Sequence, residues 1–286
     1  MFAVMKKILI KVYHFLLRRL GRPLVRSRTH VLDAPQLQRQ VVVTCILPPQ
    51  TVHEQEAAWS LAVFSDGQDF DALKMMPCID QLLADRKISP VLVVGIFAGD
   101  RMQEFGVAGI PDYLDRGAKA SGYSDFILET LLPFLERHYP LVPRPDHRII
   151  AGFSLGGLSA MDIAWRHPDI FGKAGVFSGS FWWRSAPFDP QNPDADRIMP
   201  ALIANTRQKP QLKVWLQTGT LDETSDRNNN GIIDAIDDTL DVIAAMEKVG
   251  LKQNLDIFYL EVDGGEHNQA TWGAVMPDFL QWALPL

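Results

Sequence analysis

Short apolar runs of strand length alternate with longer amphipathic stretches from residue 40 onward, and this alternation is the strongest constraint on the fold. Several of the runs, such as VLVVGIF at 91–97, are apolar at every position, as expected when helices cover both faces of a sheet. The pattern predicts a three-layer α/β fold with a mostly parallel central sheet. The predicted strands are 40–47, 59–64, 91–97, 148–153, 174–178, 212–218 and 255–261, and the predicted helices are 71–86, 121–138, 155–167, 195–206, 236–249 and 270–283.

Charge divides the sequence into two unequal parts. Residues 1–28 carry eight Lys or Arg and no acid, whereas the remaining residues carry 20 basic and 34 acidic side chains. We predict a basic amphipathic segment over 1–28, followed by a single domain over 29–286. The basic segment is typical of peripheral contact with a membrane surface, but a helix packed on the domain or a loose tail fits it as well. The acidic domain argues against nucleic acid as a partner.

The sequence also bears on location and redox chemistry. The longest uncharged run in the basic segment is 12–17, which is short for the core of a signal peptide and far too short to span a bilayer. Cys45 and Cys78 both lie in apolar surroundings and offer no disulfide framework. We therefore expect a cytoplasmic protein, with peripheral membrane contact as the open alternative. The oligomeric state is not predicted.

The stretch GFSLGGLSAM at 152–161 contains a G-x-S-x-G motif centred on Ser154. A predicted strand directly precedes this serine and a predicted helix directly follows it, which is the order of a nucleophile elbow. Gly152 and Gly156 leave the space that so tight a turn requires. The start of the helix adds N–H groups and a positive dipole end, which stabilise a developing oxyanion. This context predicts that Ser154 is a nucleophile rather than a turn residue.

The partners of Ser154 follow from their order along the chain. In this architecture the acid and then the histidine follow the serine, and only His167 and His267 lie beyond Ser154. His167 lies at the far end of the helix that the serine begins, whereas His267 directly follows a predicted strand, so we predict His267 as the base. The loop after strand 212–218 offers Asp222 as the acid, with Glu223 as its rival.

An acyl-transfer site of this kind also needs two backbone N–H donors for the oxyanion. Leu155, directly after the nucleophile, is the first predicted donor. The stretch WSLAVFSDGQDF supplies the second at Gln68, because Gly67 allows a close backbone approach. A plain tight turn is the alternative interpretation of this loop.

Taken together, these segments resemble the esterases of the α/β-hydrolase fold that include esterase D, enterochelin esterases and feruloyl esterases. The similarity covers about 29–285 and rests on the ordered segments QRQVVVTCILPP, AVFSDGQDF, VVGIFAGDRMQEF, LLPFLERHYP, GFSLGGLSA, FSGSFWW, TGTLDE and GGEHNQATW. The resemblance implies a serine esterase with Ser154, His267 and Asp222 as its catalytic triad, working through an acyl-enzyme without a required cofactor. It also implies a small-molecule or glycan-linked ester as substrate.

The resemblance extends to residues around the site. An Arg-x-x-Glu segment of the family corresponds to Arg101 and Glu104, with Arg101 at the rim, where it would hold an anionic or phenolic group of the substrate. Phe181, Trp182 and Trp183 follow the strand after the nucleophile helix and would wall a pocket for an aryl or acyl group. Burial in the core is the alternative for these aromatic residues.

The segment DRNNNGIIDAID at 226–237 has the spacing of an EF-hand calcium loop, with Gly231 at position 6 and Asp in place of Glu at position 12. That replacement also occurs in dockerin modules, which the segment resembles. A bound Ca²⁺ would be structural and would pin the loop after Asp222; an Asn-Gly turn before a capped helix is the alternative. The candidate ligands are Asp226, Asn228, Asn230, the carbonyl of Ile232, Asp234 and Asp237.

Two functions besides ester hydrolysis stay open from the sequence. The first is a calcium-stabilised binding module that keeps the fold without turnover. The second is acyl transfer to an acceptor other than water, because the same triad serves both reactions.

Overall fold

A computed structural model of the chain describes residues 25–49 and 58–286, so most of the predicted basic segment lies outside the described residues. A single eight-stranded sheet forms the centre, in the order β1-β2-β4-β3-β5-β6-β7-β8. Strands β3 to β8 run parallel to one another, and the predicted three-layer α/β fold is confirmed. The strands are β1 (Arg26–Ala34), β2 (Arg39–Leu47), β3 (Ser60–Ser65), β4 (Val91–Ile96), β5 (Arg148–Phe153), β6 (Lys173–Phe177), β7 (Lys213–Leu221) and β8 (Ile257–Glu266).

Strand β1 is the strand that the sequence pattern missed. It pairs along its whole length with β2 in an antiparallel hairpin, and β2 in turn lies antiparallel to β4. Most β1 side chains are exposed, as expected at a sheet edge, so the strand lacks the apolar run that marks the central strands. Val25 is buried and donates its N–H to Asp80 at 2.9 Å. The folded domain therefore includes residues that the charge pattern assigned to the basic segment.

Helices lie between the strands, at the predicted places. The stretch predicted as one helix over 121–138 consists of α3, a π-helical turn at Phe126–Leu131, and α4. A short helix, α2, follows β4 and was not predicted, since four residues are too few to show a helical period. The helices are α1 (Met75–Ala84), α2 (Arg101–Glu104), α3 (Ala120–Asp125), α4 (Leu132–His138), α5 (Leu155–Arg166), α6 (Ile198–Ala204), α7 (Asp234–Lys248) and α8 (Gln269–Ala283).

The two faces of the sheet bury two separate cores. Successive residues of a strand point to opposite faces, so in β3 Val63 belongs to one core and Phe64 to the other. The first core includes α5 and α7, and the second includes α1 and α8. Because helices cover both faces, polar groups of the central strands reach solvent only at the strand ends.

The strand order creates a crevice at the carboxyl ends of β3 and β5. The chain leaves β3 toward β4 on one side and later places β5 on the other side of β3. Open α/β sheets bind ligands at such a switch point. None of the helices in the described part of the chain is long and apolar enough to cross a membrane.

Candidate active site

Ser154 lies in a strained turn between β5 and α5. Its φ and ψ are 56° and −120°, a conformation that residues other than glycine rarely adopt. A Cβ at Gly152 would lie 2.3 Å from the carbonyl oxygen of Gly156, so strand and helix leave no room for a side chain there. This close packing explains why glycines flank the serine, and it projects Ser154 from the carboxyl edge of the sheet.

The Ser154 hydroxyl lies beside a second hydroxyl and the first turn of α5. Its Oγ lies 3.3 Å from the Oγ of Ser180, a buried residue in the loop after β6. The N–H of Leu155 is in the first turn of α5, where no carbonyl one turn earlier in the helix can accept it. This amide and the helix dipole therefore favour negative charge beside Ser154.

Trp272 at the start of α8 connects His267 to the residue before Ser154. The ring of Trp272 stacks on Phe153, the residue before Ser154, with the ring centroids 5.1 Å apart. The same indole contacts the imidazole of His267 edge-on at 5.2 Å and donates its Nε1–H to Ser178 at 2.9 Å. Two of these three contacts join α8 to Phe153 at the end of β5 and to Ser178 after β6. The start of α8 therefore lies over the ends of these strands, although β8, which precedes His267, is three positions from β5 in the sheet.

Burial lowers the pKa of His267 below its ordinary value of 6.5. The nearby Asp222 carboxylate opposes this shift, and the Arg101 guanidinium adds to it. The ring is therefore neutral at pH 7. A neutral imidazole can accept a proton, as a general base must.

Asp222 lies beside His267. Its side chain is fully buried, and its Oδ1 is 4.0 Å from His267 Nδ1. Its other oxygen accepts the N–H of Gly219 at 3.1 Å, whereas Oδ1 has no hydrogen-bond partner within the described residues. Glu223 instead interacts with Asp234, Ala235 and Ser225, and burial raises its pKa. This arrangement favours Asp222 over Glu223 as the carboxylate that faces the imidazole.

The loop Asp66–Gln68, which we name the oxyanion loop after its predicted role, follows β3 directly. Asp66 has φ 59°, and a Cβ at Gly67 would lie 2.4 Å from the carbonyl carbon of Gly95 in the adjacent strand. The Gln68 side chain donates to Asp66 at 2.9 Å and accepts the N–H of Ala98 at 3.1 Å. Both ends of that amide are thereby used within the protein, so any contact from Gln68 to a substrate is left to its backbone.

The two charged residues of α2 make different ion pairs. Arg101 is partly exposed and bonds both oxygens of Asp66, at 2.8 and 3.0 Å. Glu104 is 2% exposed, and both of its carboxylate oxygens accept from Arg39, each at 2.7 Å. Glu104 therefore offers no surface to a substrate, and its contacts indicate that it anchors α2 to β2.

The three aromatic residues after β6 also differ in position. Phe181 and Trp183 have no exposed surface and belong to the first core. Trp182 is 38% exposed, and the guanidinium of Arg116 lies 5.2 Å from its ring. Of the three, Trp182 is the one whose surface is open to a substrate.

Sequence reasoning missed two residues of the site, Ser180 and Asp66. Both lie next to residues that it chose: Ser180 precedes the aromatic run, and Asp66 precedes Gly67. Each lies within three residues of the carboxyl end of a parallel strand, β3 for Asp66 and β6 for Ser180, and that position is the signal that would have identified them.

The loop 226–237 brings several oxygen-bearing side chains together. Asp226 accepts the N–H groups of Asn230 and Gly231, and Asp237 accepts from the side-chain amides of Asn228 and Asn230. Within residues 25–49 and 58–286, no group of three or more His, Cys, Asp or Glu side chains could hold a metal ion.

Two predicted ligands of that loop have other surroundings. Asp234 accepts from the backbone N–H and the guanidinium of Arg227, at 2.8 and 3.1 Å, so it is engaged in an ion pair with that residue. Ile232 donates its N–H to the side chain of Asn230 at 2.8 Å.

Comparisons with known proteins agree with this architecture. A model of the family described as "Putative esterase" matches residues 34–283. The iron(III) enterobactin esterase of Escherichia coli (strain K12) is 26% identical over 231 residues, which are 79% of this chain and 50% of that protein. The chain spans half or less of the length of the first curated relatives that it matches.

Two solved structures share the fold. A ferulic acid esterase superposes with a TM-score of 0.69 at 17% identity, covering 92% of this chain and 99% of that one. The enterobactin esterase from Shigella flexneri, solved in the presence of 2,3-dihydroxy-N-benzoylglycine, has a TM-score of 0.71 at 20% identity, covering 91% of this chain and 60% of that one. These likenesses identify the α/β-hydrolase fold.

Proposed function

This chain belongs to the "Putative esterase" family, and from that membership and the geometry around Ser154 we propose that it hydrolyses carboxylic esters with Ser154 as its nucleophile. The observation that carries the proposal is the Ser154 elbow itself. Ser154 is held at φ 56° at the switch point of the sheet, beside the first turn of α5. The fold alone does not require a serine in so strained a conformation, so catalysis is the better explanation.

We assign the proton transfers to His267. As a neutral base it takes the Ser154 proton while Oγ attacks the ester carbonyl carbon. The protonated imidazole then gives that proton to the leaving alcohol as the tetrahedral intermediate collapses to the acyl-enzyme. Water, deprotonated by the same histidine, releases the acid and restores Ser154.

Asp222 is the proposed orienting acid. A hydrogen bond from His267 Nδ1–H to the free Oδ1 would fix the tautomer that leaves Nε2 as the base, and the carboxylate would stabilise the imidazolium. The 4.0 Å separation is longer than a hydrogen bond. Such contacts are often long without substrate and tighten when substrate binds.

The oxyanion would be held by the backbone N–H groups of Leu155 and Gln68. Leu155 contributes an amide at the helix N-terminus. The oxyanion loop is placed against the same turn, since a Cβ at Gly156 would lie 3.0 Å from the Oδ2 of Asp66. The two donors therefore belong to elements that are in direct contact.

We propose a small-molecule ester whose acid part carries an aromatic ring as the substrate class. The exposed ring of Trp182 provides a flat surface two residues along the chain from Ser180, whose Oγ lies 3.3 Å from that of Ser154. Relatives named for ferulic acid and for enterobactin support the same class.

Covalent labelling tests the proposal. A fluorophosphonate probe should modify the wild-type protein at Ser154, as located by mass spectrometry of peptides, and should leave Ser154→Ala unmodified. A wild-type protein that neither takes the label nor hydrolyses any short aryl ester would instead be a binding module. Product analysis in the presence of alcohols separates hydrolysis from acyl transfer, because transfer yields a new ester.

We also propose that the loop 226–237 binds a structural Ca²⁺. Its support is the convergence of Asp226, Asn228, Asn230 and Asp237, at the spacing of a calcium loop. Asp234 is left out of this ligand set because Arg227 engages it. The ion would stabilise the chain between Asp222 and α7 without taking part in the reaction.

A further inference from the structure

The carboxylate of Asp66 is buried under the candidate oxyanion site. Asp66 is 1% exposed and, at φ 59°, adopts the left-handed conformation directly before Gly67. Arg101 bonds both of its oxygens, at 2.8 and 3.0 Å, and the Gln68 side chain bonds one of them at 2.9 Å. A buried carboxylate left without these partners would carry a large desolvation penalty.

Because of where this carboxylate lies, its ion pair with Arg101 affects the proposed reaction. Asp66 Oδ2 is 3.0 Å from where a Cβ of Gly156 would stand, two residues after Ser154. The oxyanion of a tetrahedral intermediate would form beside the same helical turn. An unpaired negative charge there would repel the oxyanion across a medium of low dielectric.

The helix that carries Arg101 is held in place by a second ion pair. Glu104 on the same helix forms the two-bond ion pair with Arg39 of β2, and a Cβ at Gly99 would lie 2.6 Å from that pair. Asp100 caps the helix by accepting the N–H of Met102 at 3.1 Å. These contacts connect the oxyanion loop to the antiparallel part of the sheet.

We propose that Arg101 is a positioning residue, which holds the oxyanion loop against the first turn of α5 and neutralises Asp66 beneath the oxyanion. This inference rests on the proposed ester hydrolysis. It replaces substrate capture as the main role of Arg101, because two of its guanidinium nitrogens already bond Asp66. The Arg101 guanidinium would act on the transition state through Asp66, so the loss of this guanidinium should change kcat far more than KM.

The test compares Arg101→Met with the double variant Asp66→Asn/Arg101→Met in steady-state hydrolysis of an aryl ester. We expect Arg101→Met to lower kcat by roughly 10- to 100-fold, less than the loss of an oxyanion donor itself, with KM nearly unchanged. The double variant should recover a clear part of kcat, because asparagine removes the stranded charge. Arg101→Lys, which keeps the charge but loses the two-bond geometry, should fall between wild type and Arg101→Met.

Arg166→Met is the matched control. Arg166 pairs with the buried Asp162 at 2.7 Å, and the two side chains of this pair are exposed to nearly the same degree as those of the Arg101–Asp66 pair. It lies at the opposite end of α5 from Ser154, about 18 Å along the helix. Arg166→Met should lose a similar amount of thermal stability and keep the wild-type kcat.

A second readout separates positioning from a merely structural role. Of the charged groups that act on His267, Asp222 raises its pKa and Arg101 lowers it. Arg101→Met should therefore move the acid limb of the kcat/KM profile to higher pH, and Arg166→Met should not move it.

Three results would overturn the inference: a raised KM with unchanged kcat in Arg101→Met, an equal loss of kcat in Arg166→Met, or a double variant no better than Arg101→Met. If the wild-type protein hydrolyses no ester, it is the proposed function that fails. In that case thermal unfolding of Asp66→Asn, Arg101→Met and the double variant still measures the coupling of Asp66 and Arg101. Strictly additive shifts in Tm would then refute the inference on its own.

Discussion

At the scale of single residues, the acid of the proposed triad is the assignment that mutation can test most sharply. Asp222→Asn keeps the size of the side chain and removes its charge, so His267 loses the partner that fixes its tautomer. We expect kcat for an aryl ester to fall by roughly 100- to 10,000-fold. The measurement is steady-state kinetics on variants whose thermal unfolding shows that they are folded.

Glu223→Gln is the control for that substitution, because Glu223 is the adjacent carboxylate and its contacts lie toward Asp234 and Ala235. It should leave kcat close to that of the wild type. A large loss of kcat in Glu223→Gln, together with an active Asp222→Asn, would show that Glu223 and not Asp222 is the acid of the triad.

His267 makes a prediction about pH. Its pKa lies below 6.5 because burial disfavours the charged ring, and only the neutral ring can accept the Ser154 proton. As the pH falls through this lowered pKa, the base is protonated and kcat/KM declines. The acid limb of the profile should therefore have its midpoint below pH 6.5, and Asp222→Asn should move it lower still. A midpoint above 6.5 would contradict this account of the site.

At the scale of elements, the contact between α5 and the oxyanion loop is the feature on which the chemistry depends. A Cβ at Gly156 would lie 2.9 Å from the Cβ of Ser65 and 3.0 Å from Asp66 Oδ2, so Gly156→Ala must push the two elements apart. We expect kcat to fall by at least tenfold, in line with the displacement of an oxyanion donor.

Gly157→Ala is the neighbouring control. Its Cβ would be 3.1 Å from the carbonyl oxygen of Gly152 and from Val176, so it crowds strands β5 and β6 and not the oxyanion loop. Both variants should melt at lower temperature, but Gly156→Ala should lose the larger share of kcat. If both variants lose the same share of kcat for each degree of lowered Tm, the losses of kcat come from general destabilisation.

The same contacts show how much of the fold and of the candidate site could be predicted from the sequence. The order of strands and helices was predictable because the central strands are apolar on both faces, and the Ser154 elbow was predictable because its glycines are required by steric contact. Strand β1 was not, since its exposed edge position leaves it polar. The ion pair between Arg101 and Asp66 joins a short helix to a loop 35 positions away in the sequence, and no periodicity in the sequence reports such a pairing.

Residue types alone also misled where burial decides the role. Phe181 and Trp183 belong to the core although they adjoin Trp182, and Glu104 is closed to solvent although Arg101 is not. Which member of such a run reaches the surface depends on the loop conformation after β4 or β6. That conformation is set by tertiary contacts.

At the scale of the whole molecule, the proposed calcium loop predicts a change in stability. A ligand that binds only the folded state at about 100 times its Kd stabilises it by about 2.7 kcal/mol, which is several degrees in Tm for a domain of this size. Adding Ca²⁺ to chelator-treated protein should raise Tm by such an amount, and Asp237→Asn should abolish the rise. Equal Tm values in Ca²⁺ and in chelator would contradict the proposed calcium site.

The central claim is that Ser154 carries out ester hydrolysis, and the most direct test is kcat/KM for an aryl ester in Ser154→Ala against wild type. The matched control is Ser159→Ala on the same helix, whose hydroxyl accepts the N–H of Gly106 in the interior at 2.9 Å. We predict that Ser154→Ala loses activity by roughly 10,000-fold or more while remaining folded, and that Ser159→Ala keeps the wild-type kcat. Hydrolysis by Ser154→Ala at the wild-type rate would contradict the claim.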